Sequence, residues 1–161
     1  MNEVLINNTY AEHFTQAPGM YASCVDAQHA PETTRVLASW GDTTQNTVSF
    51  VVADLYSKRF LDMISVGSRA ALVAVSLTDL VAYQYKGSVT EVRPATQEEL
   101  KSVDTYVEKF CELVVHAGID PSRYPTGFVG GPYTTVTVDV DVIFDQTPRV
   151  GAGGTLNKKD N

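Results

Sequence analysis

Thr47-Val-Ser-Phe-Val-Val-Ala53-Asp-Leu-Tyr-Ser57-Lys58-Arg59-Phe60-Leu61 joins two kinds of apolar periodicity. Val48 to Ala53 is a short continuous apolar run with the length and β-branched content of a buried strand, whereas Phe60, Leu61 and Ile64 fall at helical spacing. The basic doublet Lys58-Arg59 stands at the junction, behind Ser57 as the expected N-cap. Cations at a helix N-terminus oppose the macrodipole, so their place there predicts an anion among the free backbone N–H groups, a phosphate first of all. Two solvated basic residues at a misplaced helix boundary are the plainer alternative.

Outward from this stretch, strands predominate. Thr9 and Glu12 form a capping-box pattern for a short helix to Gln16, stopped by Pro18-Gly19. Strands are expected over Met20 to Cys24, Thr33 to Trp40 and Thr47 to Ala53, with a turn from Asp26 to Pro31 and a loose hairpin loop from Gly41 to Asn46. Gly67 would close the helix carrying the doublet, before strands from Arg69 to Leu77 and from Val81 to about Arg93. A second capping box, Thr96 with Glu99, opens the longest helix. Leu100, Val103, Val107, Phe110, Val114 and Ala117 give it one apolar stripe, and Glu98, Lys101, Lys109 and Glu112 read as an ordinary solvated face. After an irregular Pro- and Gly-rich connection from Pro121 to Pro132, Tyr133 to Val140 alternates as a last strand. Six strands joined mainly by hairpins, with helices covering the openings, predict a mainly β, antiparallel closed barrel. Residues 1–148 form the expected single domain and 149–161 a glycine-rich polar tail, disordered or laid across a partner.

Composition sets bounds on function. The 161 residues, 43% hydrophobic, suit one well-cored domain. With 19 acidic against 12 basic residues and a net charge of -7, no basic face for nucleic acid is expected. No apolar run reaches the ~18 residues of a membrane span, and Met1-Asn2-Glu3 lacks the cationic start of a signal peptide, so a cytoplasmic protein is expected. Cys24 and Cys111 have no metal-like spacing and read as buried free thiols. His13, His29 and His116 each have a structural reading, in a helix, a turn and a helix C-terminus. Metalloprotease, nucleophile-elbow, P-loop and dinucleotide fingerprints are absent from the sequence. Tyr83 and Tyr85 read as packing residues.

From Gly19 to about Pro148 the chain resembles the pyridoxamine 5'-phosphate oxidase-like FMN-binding split barrels. The resemblance rests on Pro31-Glu-Thr-Thr-Arg35-Val-Leu, Phe50-Val-Val-Ala-Asp-Leu-Tyr-Ser57-Lys58-Arg59, Ser68-Arg-Ala-Ala-Leu-Val-Ala-Val, Gln84-Tyr-Lys-Gly87-Ser-Val-Thr-Glu-Val and Phe144-Asp-Gln-Thr-Pro148, in that order. It implies a six-stranded antiparallel split barrel that holds FMN at a homodimer interface. Ser57, Lys58 and Arg59 would hold the FMN phosphate. The flavin ring and ribityl chain would lie along Arg35, Val36 and Leu37 and along Val52 and Ala53, and Gln84 would contact the flavin. The family's arginine can fall on Thr34 or on Arg35, and one residue of slip exchanges the two faces of the strand.

The resemblance further implies an oxidoreductase-like protein taking electrons from NAD(P)H or another small-molecule reductant, with no catalytic side chain assigned. A non-enzymatic flavin- or haem-binding carrier or sensor, and a cofactor-free dimeric interaction protein, are the alternatives. The C-terminus lacks the Trp- and Arg-rich segment of true pyridoxamine phosphate oxidases, since the single Trp is Trp40. Oxidation of vitamin B6 phosphates is therefore not expected.

Overall fold

A computed structural model describes residues 5–16, 19–118, 120 and 131–159. Of the connection expected from Pro121 to Pro132, residues 121–130 lie outside the described residues, as does Pro18. In chain order the elements are α1 (Asn8–Phe14), β1 (Gly19–Val25), β2 (Pro31–Arg35), β3 (Ala38–Asp42), β4 (Thr47–Ala53), α2 (Asp54–Met63), β5 (Arg69–Val75), β6 (Ala82–Pro94), α3 (Gln97–His116), β7 (Tyr133–Asp145) and β8 (Thr155–Lys158).

The strands pair antiparallel in the order β2-β1-β5-β6-β7-β4-β3. β2 and β3, at the two ends of this path, are halves of one segment that breaks at Val36-Leu37. The Val36 N–H donates to the Met20 carbonyl of β1 at 3.1 Å, and the next residue, Leu37, donates to Val51 of β4 at 2.9 Å. The segment thus changes partner in a single step and closes the sheet. Counted as one bent strand, β2 and β3 complete the expected six-stranded barrel; Thr33 to Trp40 is the strand that bends.

Alternation fills the interior. Met20, Ala22 and Cys24 of β1, Ala70, Leu72 and Ala74 of β5, and Val136, Val138 and Val140 of β7 share one core with Val48, Phe50 and Val52. A second, smaller core lies outside the barrel, where Leu37, Ala38, Val51 and Ala53 pack with Val103 of α3. Both faces of β4 are therefore covered. This is why Val48 to Ala53 reads as an unbroken apolar run, each buried Val, Leu or Phe contributing about 1.5–3 kcal/mol.

Gly87 marks a register shift between β6 and β7, where a Cβ would stand 1.8 Å from the Asp139 carbonyl oxygen. α3 begins at the expected box: the Thr96 hydroxyl accepts from the Glu99 N–H at 3.3 Å, and the Glu99 carboxylate accepts from the Thr96 N–H at 2.7 Å.

Several boundaries differ from expectation. Asn7, not Thr9, caps α1, its side chain accepting from the Tyr10 N–H at 3.2 Å. α2 ends at Met63 because Ile64 turns extended and buries itself in the barrel core, so Gly67, at φ 91°, serves the turn into β5 rather than closing the helix. β7 continues to Asp145, five residues beyond the expected end, and β8 from the glycine-rich tail pairs with this extension. The Lys159 ammonium reaches both Asp139 carboxylate oxygens at 2.8 Å. Cys24 is buried as expected, whereas Cys111 is only partly so.

Candidate functional site

α2 follows β4 without a loop. Its N-cap is Ala53, which has no side chain to accept a hydrogen bond, and its first residue Asp54 accepts from the Thr134 hydroxyl at 2.8 Å while donating its N–H to Pro132 at 3.0 Å. The N–H groups of Leu55 and Tyr56 at the next two positions have no acceptor within the helix. Ser57 is accordingly not the N-cap. It lies one turn in, is 2% exposed, and its hydroxyl meets that of Thr34 at 2.6 Å.

The doublet occupies the second turn, where the dipole argument for an anion no longer holds with the same force. Each cation has a carboxylate: Lys58 Nζ is 3.2 Å from Asp62 one turn on, and Arg59 Nε is 3.0 Å from Glu32 on β2. The protein's own acids thus answer the positive charge that suggested a bound anion.

Thr34 and Arg35 face opposite ways, as successive strand residues must. Thr34 is turned to Ser57. Arg35 lies outside the barrel beneath α3, its guanidinium carbon 4.6 Å from the centre of the Phe110 ring and 5.9 Å from that of Tyr21. It also hydrogen-bonds to Tyr106, whose phenol is pushed up by burial against the opposing pull of that cation.

Val36 and Val52 send their side chains into the barrel core, leaving only backbone for a ligand, while Leu37 and Ala53 point outward. Arg35, Leu37, Ala53 and Ser57 converge with Tyr56 on one indentation of about 20 Å³ at the start of α2. Lys58 and Arg59 lie on the same helix beyond it.

Gln84 does not join them. The pairings Arg35 with Tyr21, Tyr21 with Val73, and Val73 with Gln84 put it in the same outer row as Arg35 but three strands away, about 14 Å at ordinary strand spacing. Its amide oxygen accepts from Gln146 at 3.3 Å.

Tyr56 and Glu32 escaped the sequence reading. Tyr56 precedes the motif by one residue and could have been found from it, whereas Glu32 becomes relevant only once β2 is laid beside α2. Tyr83 and Tyr85 are packing residues, with Tyr10 and His13 edge-on to Tyr83 and Phe14 against Tyr85. Among the described residues, no group of three or more His, Cys, Asp or Glu could hold a metal ion, and no helix is long and apolar enough to cross a membrane.

The fold is a split β-barrel closed by one bent strand, with the indentation beside the helix that follows β4. It is the fold of the pyridoxamine 5'-phosphate oxidase-like split barrels. A pyridoxamine 5'-phosphate oxidase-related, FMN-binding protein from Nostoc punctiforme is similar over 100% of both chains at 11% identity, with a TM-score of 0.54. HupZ from Group A Streptococcus covers 93% of this chain and 99% of its own at 15% identity and TM-score 0.54. An F420 reductase covers 86% and 98% at 12% identity, also with TM-score 0.54. No protein-family model matches the sequence, and no curated protein does.

Proposed function

We propose that the protein binds FMN at the start of α2 and works as a flavin-dependent oxidoreductase-like homodimer. The convergence of Arg35, Leu37, Ala53, Tyr56 and Ser57 on one spot beside an uncapped helix N-terminus carries this reading. The residues fit the cofactor. Leu55 and Tyr56 offer two backbone donors, and Arg59 and Lys58 add charge-assisted donors once they leave Glu32 and Asp62, while the outward faces of Leu37 and Ala53 give an apolar backing.

An indentation of about 20 Å³ cannot enclose a flavin ring, since ligand sites run to about 300 Å³ and more. Tyr56, which lines it, is 53% exposed, and Leu55, beside it on α2, is 70% exposed. A second copy of the chain supplies the opposite wall. Bound FMN would bring hydride chemistry at its N5 atom, with NAD(P)H or another small reductant as donor, while Arg35 and the α2 donors bind and orient it. A vitamin B6 phosphate is not proposed as the substrate, because it needs a second anion site beside FMN, and Arg149 of the tail, paired with Asp145 at 2.5 Å, is not among the residues around the indentation.

The second reading is a flavin carrier without turnover, favoured by the residues around the indentation, which include no histidine, cysteine or carboxylate among those described. Steady-state turnover of the FMN-loaded protein with NADPH separates enzyme from carrier.

The binding test compares FMN with riboflavin. Changing Lys58→Ala and Arg59→Ala together should weaken FMN by ~1.5–3 kcal/mol for each charge-assisted bond lost and leave riboflavin nearly unchanged. Equal losses for both ligands would remove the phosphate from α2.

A further inference from the structure

Among the described residues, Arg35 is the one cation around the indentation, whose lining includes no residue of α3. Its charged end is nevertheless held by that helix. The guanidinium carbon lies 4.6 Å from the centre of the Phe110 ring, and the guanidinium donates to the Tyr106 hydroxyl. Tyr21, the direct cross-strand partner of Arg35 on β1, closes a third side at 5.9 Å.

The two rings on α3 are themselves fixed. Tyr106 and Phe110 stand one helical turn apart, stacked with centroids 5.9 Å apart and planes at 21°. With Val103 they fall within about 60° of arc at 100° per residue, so seating Val103 in the outer core sets the rotation of the helix and the place of both rings. Tyr106 is buried and Phe110 partly so. A loose arginine gives up much rotamer freedom when it grips a ligand, and that cost is subtracted from affinity. Arg35 has given it up before any ligand arrives.

We infer that Tyr106 and Phe110 are positioning residues: they hold Arg35 in place beside the indentation, so that α3, which lines no part of it, sets the affinity for a flavin there. The inference rests on the flavin reading and adds a second helix to it. Lys58 and Arg59 are assigned to the phosphate, whereas Arg35 belongs with the strand residues along which the ring and ribityl chain would lie. Loss of the clamp should therefore weaken FMN and riboflavin alike, unlike loss of the doublet.

The test measures FMN and riboflavin by fluorescence quenching on the full chain. Tyr106→Phe keeps the stacked ring and removes only the hydroxyl, and both dissociation constants should rise about fivefold, the equivalent of one ordinary hydrogen bond. Phe110→Leu should raise both about threefold. In an Arg35→Gln chain neither substitution should weaken binding further, because nothing is left to position, whereas a merely structural contribution would add in full. The ligand-free chain gives a second readout. Phenylglyoxal, which modifies arginines, should react more slowly at Arg35 than at exposed Arg59, and Tyr106→Phe with Phe110→Leu should speed the reaction at Arg35 alone. Flavin binding indifferent to both substitutions, or losses that persist undiminished in the Arg35→Gln chain, overturns the inference, as does an unchanged rate at Arg35. An unaltered chain that binds neither flavin overturns the flavin reading itself and this inference with it, a result distinct from all the others.

Discussion

Arg59 Nε stands 3.0 Å from the Glu32 carboxylate, so the cation assigned to a flavin phosphate is already held by an acid on the neighbouring strand. Any anion arriving at α2 competes with Glu32. Replacing Glu32→Gln keeps the shape and removes the competing charge. Exposed pairs of this kind are worth about 0.2–1 kcal/mol, so FMN should bind roughly 1.4- to 5-fold more tightly, measured by flavin fluorescence quenching. Unchanged or weaker binding would mean that Arg59 never leaves its partner.

Dimerisation is measured by sedimentation equilibrium at micromolar concentration. Exposed Tyr56 at the indentation, and exposed Leu55 beside it on α2, should be covered in the dimer. Tyr56→Glu, which would force a charge into that interface, should therefore shift the protein toward monomer and weaken FMN in parallel. A monomer that binds FMN tightly would contradict the proposed site.

Gly87 has no room for a side chain. Gly87→Ala would drive a Cβ to within 1.8 Å of the Asp139 carbonyl oxygen, where backbone and not a flexible side chain must give way. A loss of about 3 kcal/mol is expected in urea unfolding, at the upper end of ordinary overpacking.

Acid should weaken the fold in two separate windows. His13 is 5% exposed, and burial lowers its pKa below the ordinary 6.5, so the unfolded chain takes up the proton first. Its contribution is present above about pH 6.5 and declines as pH falls below that. His13→Phe should flatten the fall in unfolding free energy between about pH 7 and about pH 5.

Glu99 acts lower. Its hydrogen bonds with Arg93, at 2.7 and 2.8 Å, first of all hold it down to about 2 against 4.5, so its contribution is complete above about pH 4.5 and lost as pH falls toward 2. Arg93→Ala should narrow that second window, which the Thr96 and Thr135 hydrogen bonds to the carboxylate still keep open, and cost about 1.5–3 kcal/mol at neutral pH. Both follow from denaturant titrations across pH.

Local signals carried most of the fold. The Thr96 and Glu99 box marked the start of α3 to the residue, and the run ending at Ala53 fixed the end of β4. Ser57 misled because the true start of α2 has no capping side chain: the helix leaves the strand directly at Ala53, so the nearest cap-like residue lies a turn too late. The break in the second strand was equally silent. Val36 and Leu37 are both buried and apolar, and nothing in their composition says that they belong to different cores. Around the candidate site, Arg35, Leu37, Ala53 and Ser57 were named from the resemblance and do converge, while Gln84 lies apart. The partner of Arg59 depends on a contact between residues far apart in sequence, Glu32 with Arg59, which no local pattern encodes, whereas Lys58 and Asp62 stand at helical spacing.

The step at Val36-Leu37 also works as a phase marker for the whole chain. Upstream of it the segment keeps time with β1, downstream with β4, and a single inserted or deleted residue there would bring Arg35 or Ala38 to the wrong side of the wall. Length changes in this protein should accordingly accumulate in the turn at residues 26–30 or in the loop at 43–46, while residues 34–38 keep a fixed count even where their identities drift.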